Sequence, residues 1–111
     1  MEIDIIVAAM VEKKANDIVV IDFKENFSLL FSSFVICHGN SAAQIDAIVE
    51  NVDRMMRKKK KIHPTHVEGK SNMEWVLMDY GDIIVHVFNE DSRKFYNLED
   101  LWADAVIRRI E

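Results

Sequence analysis

The sequence predicts an α/β (α+β) domain, a mixed sheet of about five strands covered by helices. Segments with apolar residues at helical spacing alternate with short runs rich in β-branched residues. Two of those runs meet at Tyr80-Gly81-Asp82, where glycine supplies the positive φ of a tight antiparallel turn. Strands interspersed with helices in this order imply a mixed sheet layered by helices. At 111 residues, half of them apolar, with three glycines and one proline, residues 1–111 read as a single domain with one core.

Each element has its own signal. Ile3, Ile6, Val7, Met10 and Val11 recur at helical spacing, which predicts an amphipathic helix over the first fifteen or so residues, ending at Asn16-Asp17. Ile18 to Phe23 is short and β-branched, fits a mostly buried strand, and is followed by the turn-like Lys24-Glu25-Asn26. Ser33 to His38 reads as a second strand. Gly39-Asn40-Ser41 breaks it and opens the longest helix, whose apolar face is Ile45, Ile48, Val49, Val52, Met55 and Met56. Asn40 or Ser41 is the natural N-cap, and Arg57 to Lys61 closes the helix where cations meet the negative end of its dipole. After His63-Pro64, the stretch THVEG forms a short strand and KSNM a loop; the hairpin WVLMDYGDIIVHVF follows. Asn97 is placed to cap a last helix, with Asp100 in its first turn and Leu98, Leu101, Trp102, Ala105 and Val106 as its apolar stripe.

Composition narrows the function. A formal net charge of -5 argues against nonspecific nucleic-acid binding by the whole molecule, leaving Arg57 to Lys61 as the one local patch able to contact RNA phosphates. Cys37 is the only cysteine, so no intrachain disulfide forms and a reducing compartment is expected. Glu2 and Asp4 stand where a secretory signal carries positive charge, and no run approaches the roughly 20 apolar residues that span a bilayer. A soluble, cytoplasmic protein is the expectation.

Side-chain alternation places Trp75, Leu77 and Asp79 on one face of the first hairpin strand, and Asp82, Ile84, His86 and Phe88 on one face of the second. A two-residue loop at Tyr80-Gly81 or Gly81-Asp82 brings the sets together. Two carboxylates and an imidazole could hold a metal or perform acid-base work. Aspartates beside a glycine turn more often bond local amides, and a lone strand histidine is more often packed than a ligand. Cys37 and His38 point to opposite faces, so they form no nucleophile pair. His63 and His66 lack a second ligand cluster, and no Walker loop, GxGxxG or GxSxG motif occurs. One enzyme-like junction remains: His38-Gly39-Asn40-Ser41, a strand-to-helix turn whose free amides could bind phosphate. The carboxylates that follow, Asp46, Glu50 and Asp53, lie on the helix and cannot supply the magnesium pair a nucleotidyltransferase needs on the adjoining strand.

Four stretches in order, FVICHGNSAAQIDAIVENV, VEG, EWVLMDYGDIIVHVF and RKFYNLEDLWADA, resemble the ribosomal silencing factor family, also called the Iojap or YbeB-like family. The resemblance runs from about Asp17 to Ala105, and its most specific part is WVLxDYGDxxVHVF followed by FYxLExLW. It implies a regulator without catalytic activity or cofactor. Such a protein binds the large ribosomal subunit through a ribosomal protein of the L-fourteen family, blocks joining of the small subunit, and lowers translation under nutrient limitation. It also implies a nucleotidyltransferase-like topology lacking the catalytic carboxylates, and a homodimer in the free protein. The chain departs from the family's usual pattern at Ser32-Ser33, where Asp-Tyr is common, at His38, where Thr is common, and at Met73, where a small residue is common.

The residues suit a docking surface of aromatic anchors and oriented polar groups. The expected contact set is Trp75, Asp79, Tyr80, Asp82, His86, Phe88, Tyr96, Leu98 and Trp102, with Glu99 adding negative charge toward a basic partner. The rival reading is a nucleotide-binding or nucleotidyltransferase-like enzyme using Gly39 to Ser41 with Asp79 and Asp82.

Overall fold

Two nearly unbroken apolar runs set the middle of the sheet. Ser33–Gly39 and Ile83–Asn89 form strands β2 and β5, which lie side by side and parallel, paired from Ser33↔Ile83 to Gly39↔Asn89. Such runs are what strands buried on both faces require. A computed structural model describes residues 2–23 and 32–110. The predicted turn at Lys24-Glu25-Asn26 lies outside them. The remaining elements are α1 (Glu2–Glu12), β1 (Asn16–Asp22), α2 (Ala42–Lys60), β3 (His66–Glu68), β4 (Trp75–Asp79), α3 (Glu90–Tyr96), α4 (Leu98–Leu101) and β6 (Val106–Arg109). The sheet runs β3-β4-β5-β2-β1-β6, antiparallel at every pairing except β2 with β5.

A parallel pair needs a crossover, and α2 supplies the helix in it. Its N-cap is Ser41, whose hydroxyl accepts from the Gln44 amide at 3.0 Å, while Gln44 Oε1 accepts from the Asn40 amide at 2.7 Å. Gln44 Nε2 also donates to the carbonyls of Lys13 and Lys14, tying the end of α1 to the start of α2. At the far end Lys61 turns left-handed, and the amides of Lys61 and Ile62 close on Arg57 and Met56.

Helices α1 and α2 cover one face. Ile6 and Met10, with Ile45, Ile48, Val49, Val52 and Met56, pack on Val20, Val35, Cys37, Val76, Met78, Val85 and Val87. Burial of each large side chain contributes roughly 1.5–3 kcal/mol. Asn51, buried between the helices, donates to the Ala9 carbonyl at 2.9 Å and to Glu12 Oε1 at 2.8 Å. The second face carries Val19, Ile21, Phe23, Phe34, Ile36, Ile84 and Phe88, and meets Leu98 and Ala105.

The C-terminal segment differs from its sequence reading. Asn97 does not cap a long helix; it sits at φ 46°, ends α3, and donates its side-chain amide to Asp100. Helix α4 stops at Leu101, and Val106–Arg109 forms a sixth strand against β1, from Asp22↔Val106 to Val19↔Arg109. The open edge of β1 offers backbone partners that outweigh the helical spacing of Leu98, Leu101, Trp102, Ala105 and Val106. Helix α3 was not foreseen either.

Two glycines are required for different reasons. Gly69, at φ +92°, packs so closely that a Cβ would lie 1.9 Å from the Trp75 carbonyl oxygen, whereas Gly81, at φ +86°, has open space around it. Gly69→Ala is expected to cost about 3 kcal/mol in urea unfolding, and Gly81→Ala, which pays only for the backbone angle, about 1 kcal/mol.

Candidate partner-docking surface

The hairpin register decides which side chains share the second face. Trp75 pairs with Phe88, Leu77 with His86 and Asp79 with Ile84, so the loop is Gly81-Asp82 with positive φ at its first position only. Aromatic rings then form a band across this face. Trp102 meets Phe23 edge-on at 4.9 Å, and Phe34 at 6.4 Å. Phe34 meets His86 at 4.4 Å, Trp75 stacks on Phe88 at 5.0 Å, and Tyr96 packs on Trp75 at 4.6 Å and on Phe95 at 5.0 Å.

His86 is a structural member of that band. Trp75 Nε1 donates to its Nδ1 at 3.0 Å, which requires a neutral ring with its proton on Nε2. Nε2 has no hydrogen-bond partner among the described residues. Only 3% exposed, the ring is pushed by burial from its usual pKa down to about 3. An imidazole that stays neutral and enclosed neither exchanges protons near neutral pH nor meets a partner.

The other expected contact residues divide. Phe88 and Leu98 are core side chains. Tyr80 alternates to the opposite face, beside Met56 and Ile62; its hydroxyl has no partner among the described residues, and burial raises its pKa. Asp79 fixes the turn, its Oδ1 accepting from the Gly81 amide at 2.8 Å. Asp82 has an exposed side chain, while its carbonyl accepts from the amides of Ser32 and Ser33. Glu99 is mostly buried and paired with Arg93 at 3.1 Å, so it does not offer free charge to a partner. Trp75 and Trp102 are partly exposed and Tyr96 is 48% exposed. Sequence reasoning assigned no role to Phe95 and placed Leu101 in the apolar stripe of the last helix; they are 80% and 69% exposed. Their signal was adjacency to Tyr96 and Trp102 in a segment already singled out.

The rival enzyme site is not assembled. Gly39 to Ser41 lie at the C-terminal end of β2, and Asp79 and Asp82 lie by the Ser33 end, a seven-residue strand away, or about 20 Å. Among the described residues no group of three or more His, Cys, Asp or Glu could hold a metal. Cys37 points into the α1–α2 core, where burial pushes its thiol up to about 12, and His38 points to the other face toward Arg93. No helix among the described residues is long and apolar enough to cross a membrane.

The family model described as "Ribosomal silencing factor during starvation" matches residues 1–111. The chain is 41% identical over 105 residues to the ribosomal silencing factor of Halalkalibacterium halodurans, covering 95% of this chain and 88% of that one. It is 30% identical over 104 residues to mouse mitochondrial assembly of ribosomal large subunit protein 1, covering 92% of this chain and 45% of that protein. A crystal structure of a Chromobacterium violaceum protein superposes with a TM-score of 0.84 at 29% identity, over 92% of this chain and 83% of that one.

The buried His86 has a pH signature. Its folded pKa lies below the unfolded value near 6.5, so its neutral form stabilises the fold above that pH, and this contribution is lost as pH falls toward 3. Between pH 7 and 5 the unfolding free energy should drop about 2 kcal/mol more in the wild type than in His86→Gln, measured by denaturant titration.

Proposed function

Because the chain belongs to the ribosomal silencing factor family, we propose that it represses translation by binding the large ribosomal subunit and sterically blocking the small subunit. The partner in this reading is a ribosomal protein of the L-fourteen family on the face that joins the subunits. The observation that carries it is the solvent-facing end of the aromatic band: Tyr96 in contact with Trp75 on one side and Phe95 on the other, with Leu101 on the following helix. Exposed aromatics on a charged, acidic chain are the residue types that dominate interface energetics, and they meet a basic partner with favourable long-range electrostatics. Asp79 and Asp82 lie at the hairpin turn, the opposite end of β4 and β5 from Trp75 and Phe88, and add negative charge there and not beside the exposed rings. The protein acts by occupancy, with no catalysis and no cofactor, in the cytoplasm where ribosomes join. A homodimer of the free protein would cover the same apolar side chains, making it an alternative to the ribosome-bound form.

A secondary contact involves ribosomal RNA. Arg57 to Lys60 place four cations on the last turn of α2 and Lys61 a fifth at its C-cap, more than a helix dipole of about half a charge needs. Arg57 is paired with Asp53 at 3.3 Å, and Lys58, Lys59 and Lys60 are exposed. Replacing these three lysines by glutamine should reduce the log–log salt slope of subunit binding by roughly two to three.

Joining of purified subunits, followed on sucrose gradients with added protein, tests the main reading. Joining should fall as protein is added, and unchanged joining at saturation contradicts repression by occupancy. Phe95→Ala should weaken subunit binding about tenfold or more with no loss of thermal stability, since the side chain is already in solvent.

A further inference from the structure

Helix α3 breaks the usual rule for a surface helix. Its only buried residue is Arg93, so apart from the half-exposed Tyr96 ring on Trp75 it is seated on the sheet by a guanidinium and not by an apolar stripe. Arg93 Nη1 donates to the Asn16 carbonyl at 3.2 Å and contacts His38 Nδ1 at 3.0 Å, and Nη2 donates to Glu99 Oε2 at 3.1 Å. Arg109 Nη1 stands 3.9 Å from the same Glu99 oxygen. One side chain thus links β1, β2, α3 and α4. The segment it holds carries Phe95, Tyr96 and Leu101.

The His38 contact has a protonation requirement. A guanidinium stays protonated and can only donate, so His38 Nδ1 must be the acceptor, with its ring neutral and its proton on Nε2. A second proton would set donor against donor and place two cations about 3 Å apart. The charged groups around this cleft are Asp17 from β1, Glu90, Arg93 and Lys94 from α3, Glu99 from α4 and Arg109 from β6. Burial, then Arg93, lower the proton affinity of His38 against the opposing pull of Asp17 and Glu90, with Lys94 adding to the lowering.

We propose that Arg93 is the positioning residue of the docking surface, and that its seat on neutral His38 is a latch: protonation of His38 unseats α3–α4 and weakens docking in acid. The effect on docking rests on the function proposed above; the latch itself does not.

Hydrogen exchange on the free, full-length protein separates the two. The reporters are the amides of Asn97, Leu101 and Trp102, which bond to Arg93, Asn97 and Leu98. After correction for intrinsic rates, their protection relative to α2 should fall about tenfold in the wild type from pH 7.5 to 5.5, the scale of one charge-assisted hydrogen bond. His38→Gln keeps an acceptor and cannot titrate, so it should stay protected at both pH values. Arg93→Lys keeps the charge but cannot reach all three acceptors, so it should be unprotected at both. Equal protection of the wild type at the two pH values, or an equal fall in His38→Gln, overturns the latch, and this comparison decides it even if Arg93→Lys fails to fold. Binding to isolated large subunits should follow the same pattern, weakening about tenfold in acid for the wild type and not for His38→Gln. If exchange behaves as stated while no variant binds subunits at pH 7.5, the latch stands and the docking reading fails.

Discussion

The parallel pairing of β2 with β5 constrains everything else in this fold. Parallel neighbours cannot be joined by a tight turn, so the chain leaving β2 at Gly39 must return to the start of the sheet before β5 begins. Helix α2 makes the return, and with α1 it closes one face of the sheet. The β3–β4 pair, lying in the same connection, extends the sheet on the outer side of β5. When β5 ends at Asn89, the chain emerges beside the second face with few residues left to cover it. The cover is two short helices, and aromatic side chains of the sheet do much of the remaining work.

The two faces therefore have different physics. The α1–α2 side is a conventional aliphatic core with one polar stitch at Asn51. The second side is a band of stacked and edge-on rings, enclosed at Phe34, His86 and Phe88 and open at Trp75, Tyr96 and Phe95. The Trp75–His86 hydrogen bond holds the border between the enclosed and open parts. An exposed aromatic edge backed by a rigid sheet suits recognition, because its rings are already ordered before a partner arrives. The same features argue against chemistry: the histidine is sealed, Asp79 is committed to its turn, and the glycine junction lies at the other end of the strands.

Much of this was legible in the residues. The amphipathic spacing of α1 and α2, the apolar runs of β1 and β2, the Ser41 cap and the two-residue hairpin loop follow from local rules, and those rules agree with the tertiary arrangement. The C-terminal third is where they part. Leu98 to Val106 carry a helical period, yet the unpaired edge of β1 recruits residues 106–109 as a strand, which no local pattern can show. Helix α3 is silent to hydrophobic periodicity because its one buried side chain is charged. Its available cue was capping: Asn89 accepts from the Ser92 amide at 2.7 Å, with Glu90 and Asp91 in the first turn. The exposure of the proposed docking residues has the same limits. Trp75 and Tyr96 do reach the surface, Phe88 and Leu98 fall into the core once α3 and α4 fold over the sheet, and Phe95 and Leu101 are exposed by that same arrangement.

The central claim is that the open edge of the aromatic band is the surface that meets the large subunit. An electron cryomicroscopy structure of the chain bound to isolated large subunits tests it most directly. The account predicts Trp75, Phe95 and Tyr96 packed against a ribosomal protein on the joining face, with α1 and α2 turned outward. A complex seated through α1 and α2 with Phe95 in solvent, or one bound away from the joining face, would contradict it.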